Sequence, residues 1–219
     1  MDLKQHGAAQ HDRAALCILD ALAAALAGTN QGRPGVRLHG NSALRPLLAF
    51  DSPVGRIAAA TLGEDAKPVR AVLFDKTPGT NWALGWHQDR TIAVRARHDL
   101  PGWGPWSLKA GIQHVEPPFA LIEHMVTLRI HLDAVPADNA PLLIAPRSHQ
   151  LGRLTEREIE SVVARCGTAA CLAGRGDVWA YATPIVHASA ASSGHARRRV
   201  LQVDYASQPL PEPLDWLGI

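Results

Sequence analysis

The chain has 219 residues, 22 Lys/Arg against 20 Asp/Glu, a formal net charge of +2 and 47% hydrophobic residues. A chain of this length buries roughly 70% of its unfolded surface and needs no disulfide staple; without a Lys/Arg stripe, its charge balance argues against nucleic acid as a partner. No run of about 20 apolar residues is present to span a membrane, and Cys17, Cys166 and Cys171 lack CxxC spacing, which points to reduced thiols in a cytoplasmic protein.

Leu16, Leu19, Ala23 and Leu26 recur at helical spacing and predict an amphipathic helix over residues 12–27, ended by Gly28. Residues 28–42 contain Gly28, Gly32, Pro34, Gly35 and Gly40 and read as a loop. A second helical stretch is expected over 43–62, broken near Ser52-Pro53, so that 1–68 forms a mostly helical N-terminal part. The texture then changes. Residues 69–74 form an apolar strand, and short strand candidates follow at 91–95, 125–133, 142–145, 169–173, 177–181 and 198–206. One helix interrupts them over 155–165, where Thr155 and Glu158 have capping-box spacing. Many short strands separated by turns predict a mainly β fold with flanking helices, a sandwich or barrel. Residues 69–206 would be its core and 207–219 a C-terminal tail, all within one domain.

The segment 96–118 is rich in Pro and Gly and too long for an ordinary connection. Its tryptophans demand burial, so it is predicted to be a lid, with Trp103, Trp106, Lys109 and His114 as its candidate residues.

The chemistry concentrates in His87-Gln88-Asp89. In an extended strand residues i and i+2 point to the same side, so His87 and Asp89 can grip one ion together. Taken alone, such a pair is more often a surface His beside a turn Asp. Here a second imidazole, His187, follows the strand-like 177–181 and the turn at Thr183-Pro184. Two His and one carboxylate with open positions is the ligand set of non-heme Fe(II) oxygenases. Farther on, Arg198 opens the apolar strand 198–206. If Val200, Gln202 and Asp204 face inward, strand alternation turns Arg198 inward too and leaves Arg197 and Arg199 as a solvated basic pair. Thr127, Arg129, His131 and Asp133 also share one strand face, which either lines a cavity or meets solvent. Lys76, Arg129 and His131 are candidates for substrate contact, whereas Ser148 and His149 are expected to steady a loop. Arg90, Arg95, Arg97 and Lys109 lie near the expected mouth in sequence and suggest an anionic substrate.

These residues carry a resemblance. Phe74-Asp75-Lys76-Thr77-Pro78 leading to Trp86-His87-Gln88-Asp89, then Gly102-Trp103-Gly104-Pro105-Trp106, Asn139-Ala140-Pro141-Leu142, Pro146-Arg147-Ser148-His149, His187-Ala188-Ser189 and Arg198-Arg199-Val200-Leu201 are similar to motifs of the phytanoyl-CoA dioxygenase family, in its short bacterial members. The resemblance covers about 69–206 and implies a double-stranded β-helix, a cupin-like jelly-roll barrel with N-terminal helices. It implies that His87, Asp89 and His187 bind catalytic Fe(II), and that Arg198 with Ser189 holds the tail carboxylate of 2-oxoglutarate. Dioxygen would be the oxidant, with ascorbate as reductant in vitro. The reaction would hydroxylate an unactivated C–H bond of a small molecule and release succinate and carbon dioxide. Asp89 favours hydroxylation, since a halogenase of the family lacks that carboxylate. Ala140, Arg147 and Ala188 stand where the family usually has glycine, which permits positive φ or close approach. Two rivals keep the metal ligands: a non-catalytic metal-binding jelly roll that senses a small acid, and a cupin-like enzyme using another divalent metal.

Overall fold

The computed structural model describes residues 1–29, 33, 35–77, 81–193 and 196–219. Gly32 and Pro34 of the expected loop and Pro78 of the motif after Phe74 lie outside the described residues. The chain begins with α1 (Leu3–His6), β1 (Ala8–His11), α2 (Leu19–Ala25), β2 (Gly35–Leu38), α3 (Leu44–Leu48) and α4 (Gly55–Leu62). Then come β3 (Lys67–Lys76), β4 (Leu84–His87), β5 (Ile92–Val94), β6 (Trp106–Lys109), β7 (Ile112–Val115), α5 (Phe119–Glu123), β8 (Val126–His131) and β9 (Leu142–Ile144). The last elements are α6 (Glu156–Cys166), β10 (Ala169–Cys171), β11 (Val178–Ala182), β12 (His187–Ser189) and β13 (Arg198–Ala206).

A six-stranded sheet has the order β1-β11-β8-β13-β3-β2, a four-stranded sheet the order β10-β9-β12-β4, and a three-stranded sheet the order β5-β7-β6. All the pairings are antiparallel. This is the expected mainly β, jelly-roll architecture with N-terminal helices.

The large sheet is buried on both faces, and the reason is visible in its alternation. On β8, Val126, Leu128 and Ile130 join Leu201, Val203 and Tyr205 of β13 in an apolar layer. Leu19, Leu22, Leu44, Leu48 and Ala58 of the N-terminal helices cover that layer. The Tyr205 hydroxyl donates to the Leu48 carbonyl at 2.9 Å and ties α3 to the sheet. The opposite rows, Thr127, Arg129, His131 on β8 and Arg198, Gln202, Asp204 on β13, are buried but polar. They face the interior between the large sheet and the four-stranded sheet. Leu128 is fully buried in the apolar layer, so Leu128→Ala should cost about 2–5 kcal/mol in chemical denaturation.

Three expectations change. The helix over 12–27 contracts to a 3₁₀ turn at Leu16–Ile18 followed by α2. The cause is Asp177, which accepts from the Arg13 N–H at 2.8 Å while Arg13 adopts φ 53°, holding residues 12–15 in turns. The N-terminal part is less helical than expected, because β1 and β2 form the two edges of the large sheet. The break at Ser52-Pro53 is present, and the Ser52 hydroxyl accepts from the Gly55 N–H at 2.9 Å at the start of α4.

The third change is the segment 96–118. It folds into the hairpin β6–β7, paired with β5. Trp103 and Trp106 pack against a cluster containing Val69, Ile92, Val94 and Val115. Their rings find burial against this cluster, as large apolar side chains require. Gln88 faces away from Asp89 and bonds the Gly152 and Pro184 carbonyls at 3.0 and 2.9 Å.

Candidate active site

Strands β4 and β12 pair with His87 directly opposite His187. Directly opposed residues project from the same face of a sheet, and the two rings lie 4.3 Å apart between centroids. Asp89 follows β4 and completes the set: one donor atom from each of His87, Asp89 and His187 lies within 4.8 Å of the others.

The tautomers suit a metal. His87 Nδ1 lies 2.7 Å from the Gly85 carbonyl, and His187 Nδ1 lies 2.9 Å from the Ile185 carbonyl. A carbonyl only accepts, so each Nδ1 carries the proton and each Nε2 keeps its lone pair. Burial pushes His187 down to about 4, so it is neutral near pH 7. Burial alone would raise Asp89, but Arg70, His187 and His87 outweigh it and hold the carboxyl below its ordinary range. Two imidazoles and one carboxylate fit a divalent cation.

The donors open into a cavity of about 240 Å³ between the two sheets. Its large-sheet wall is the inward row of β3 (Arg70, Val72, Phe74, Lys76) with Arg198 and Gln202 of β13. Arg198 is opposite Lys76 in the register and only 2% exposed. One of its terminal nitrogens donates to the Ala140 carbonyl, but its Nε has no acceptor and no carboxylate pairs with it among the described residues. Burial and the nearby Arg129 push it down to about 9, still above neutral pH. Its neighbours behave differently. Arg197 pairs with Asp75 at 2.5 Å and Arg199 with Asp133 at 2.7 Å, both outside the cavity.

Lys76 lines the cavity and donates to the Trp82 and Ala190 carbonyls at 2.7 and 2.9 Å and to the Ser189 hydroxyl at 3.2 Å. Burial, then Arg198 and Arg129, push its ammonium down to about 8. Ser189 and Arg129 also line the cavity, the latter donating to Gln202 Oε1 at 3.0 Å.

Other candidates lie elsewhere. His131 is buried on the same strand face as Arg129 but is not part of the cavity wall; burial pushes it down to about 3. His114 sits on β7, the central strand of the small sheet, fully buried and also outside the wall. Of Arg90, Arg95, Arg97 and Lys109, only Lys109 lines the cavity. Arg97 pairs with Asp99 at 2.9 Å, and Arg90 approaches Glu156 at 3.8 Å. Ser148 steadies its loop as expected, donating to the Ala145 carbonyl at 2.7 Å and accepting from the Val186 N–H at 2.8 Å.

Sequence reasoning missed Arg37 and Arg70, both in the wall. Arg70 shares the inward row with Lys76, so strand alternation could have found it. It reaches Asp204 at 2.5 Å and Asp89 at 3.5 Å and therefore helps to orient the carboxylate of the donor set. Arg37 belongs to β2, within the glycine- and proline-rich residues 28–42 expected to be loop.

Two of the replaced glycines keep the glycine-type backbone: Ala140 has φ 48° and Arg147 φ 71°. The left-handed region costs a non-glycine residue roughly 1–2 kcal/mol. At Ala140 this backbone presents the carbonyl that meets Arg198.

No curated protein matches the sequence, but solved structures share the fold. One is EctD from S. alaskensis with 2-oxoglutarate and 5-hydroxyectoine, at TM-score 0.69 and 16% identity, covering 99% of this chain and 77% of that one. Another is HygX from Streptomyces hygroscopicus with nickel and 2-oxoglutarate, at TM-score 0.63 and 13% identity, covering 93% and 84%. AviO1 from Streptomyces viridochromogenes Tue57 gives 0.62 and 20%, covering 96% and 94%. Lineage comes from the sequence itself: the family model for phytanoyl-CoA dioxygenase matches residues 24–200, a span that includes both imidazoles, the carboxylate and the buried guanidinium, and this chain belongs to that family.

Proposed function

We propose that this protein is an Fe(II)- and 2-oxoglutarate-dependent dioxygenase that hydroxylates an unactivated C–H bond of a small anionic molecule. One substrate, one dioxygen and one 2-oxoglutarate become the alcohol, succinate and carbon dioxide. His87, Asp89 and His187 hold the ion, which supplies dioxygen activation coupled to decarboxylation of the co-substrate.

The observation that carries this reading is Arg198. A buried cation without a counter-charge is costly, and here it shares a cavity with three metal-type donors. A guanidinium takes a carboxylate through two parallel hydrogen bonds. Ser189 and Lys76 stand beside it, so the far carboxylate of 2-oxoglutarate would meet a fork, a hydroxyl and an ammonium. The keto-acid end then points towards the donor set.

Cavity volume limits the substrate. Sites for drug-sized ligands span roughly 300–1,000 Å³, and the 240 Å³ here suits a small molecule better than an acyl-CoA. The 5-hydroxyectoine bound to EctD is a small molecule of this kind. No helix among the described residues is long and apolar enough to cross a membrane. The three free cysteines suit a reducing cytoplasm.

The test is succinate formation from 2-oxoglutarate with Fe(II) and ascorbate across a panel of small acids. Turnover above background, stimulated by at least one panel member, is expected. Tight binding of iron and 2-oxoglutarate with no succinate from any of them would favour a sensor instead.

A further inference from the structure

The cavity has two cationic ends, and only one has an anion assigned to it. The inward row of β3 places Arg70 and Lys76 roughly 20 Å apart along an extended strand, at about 3.3 Å per residue. Beside Lys76 are Arg198 and Arg129, the end given to the co-substrate. Beside Arg70 are Arg37 from β2 and Lys109 from β6, both part of the cavity wall.

Arg70 is already paired with Asp204 and Asp89. Arg37 is not paired: its Nε is buried with no acceptor, and it makes no ion pair among the described residues. Lys109 bonds only the Thr91 hydroxyl among the described residues, at 3.1 Å. The acid that acts on Lys109, Asp89, belongs to the donor set. Two cations therefore line a concave, partly dry wall without a counter-charge. Burial lowers the pKa of both and the neighbouring Arg70 lowers it further; at Lys109 the like charge of Arg37 adds to this and Asp89 opposes it.

We propose that Arg37 and Lys109 form a second anion subsite, separate from the co-substrate's tail site, which holds a carboxylate or phosphate group of the molecule to be oxidised. The oxidised molecule in this statement rests on the dioxygenase reading; the anion site itself does not. The planar fork of Arg37 and the point charge of Lys109 would share one oxyanion. Because β2 is an edge of the large sheet and β6 belongs to the small one, a bound anion would bridge the two sheets and bring substrate close to Asp89.

Inorganic phosphate and acetate, titrated calorimetrically into metal-free protein and into protein loaded with nickel and 2-oxoglutarate, test the subsite. At least one anion should bind with 2-oxoglutarate already in place, and the stronger binder identifies the group. Arg37→Gln and Lys109→Met should each weaken that anion roughly tenfold, while 2-oxoglutarate affinity changes by no more than about twofold. Arg37→Lys, with unchanged circular dichroism, should recover part of the loss, which a folding defect would not. The proposal is overturned if neither anion binds at tens of millimolar, if 2-oxoglutarate displaces it, or if both substitutions leave it unaffected. Failure of nickel and 2-oxoglutarate to bind would instead count against the dioxygenase reading, and the metal-free titration would still decide the subsite.

Discussion

Asp89→Ala is expected to abolish ferrous binding and succinate formation together while the fold survives. The carboxylate is the only acidic member of the donor set, so its removal leaves two imidazoles and no anion for a divalent ion. Partners that merely orient ligands typically cost 10–100-fold when mutated, so loss of a ligand itself should exceed about a hundredfold in metal affinity. The substitution also leaves Arg70 with Asp204 at 2.5 Å, so no buried cation is orphaned and the barrel has no reason to open. His87→Ala should behave alike. Calorimetry with Fe(II) under anaerobic conditions, set beside circular dichroism, separates ligand loss from unfolding. Full turnover in either variant would refute the metal assignment.

Arg198→Ala should give the second large effect, on the co-substrate alone. Breaking a buried, hydrogen-bonded charge pair costs about 2–5 kcal/mol, which corresponds to roughly 30- to 4,000-fold weaker 2-oxoglutarate binding. The internal control is the next residue. Arg199 is paired with Asp133 at the outer face, with both side chains partly exposed. Pairs of that kind contribute about 0–1 kcal/mol, and Arg199→Ala should leave 2-oxoglutarate binding within a few-fold. If the two variants exchange behaviour, the cavity does not hold the co-substrate as proposed. Metal binding measured without 2-oxoglutarate should be normal in both.

The parts of the fold legible in the sequence were those where local patterning and burial agree. Residues 198–206 read as a strand and form β13 over the same span, because both of its rows are buried and its β-branched and aromatic residues suit a central strand. The break between α3 and α4 was legible because Pro53 interrupts a helix. The convergence of His87, Asp89 and His187 was readable as residue types in order, although their approach depends on the pairing of β4 with β12, which no local pattern encodes. Edge strands were not legible. Residues 35–38 are flanked by glycine and proline, and their strand state comes from hydrogen bonds to β3. That override concealed Arg37. The tryptophans of 96–118 did signal burial, but sequence cannot say against which surface, and the surface is the cluster of Val69, Ile92, Val94 and Val115.

β13 also constrains how such a protein can change over generations. Its odd positions, Leu201, Val203 and Tyr205, fasten the helices, while of its even positions Arg198 and Gln202 line the cavity and Asp204 pairs with Arg70. A single-codon deletion within the strand would slide one set into the place of the other, sending hydrocarbon into the reaction chamber and charge beneath the helices. New specificities can therefore arise here by exchange of one side chain for another, whereas gaps are confined to the connections between strands.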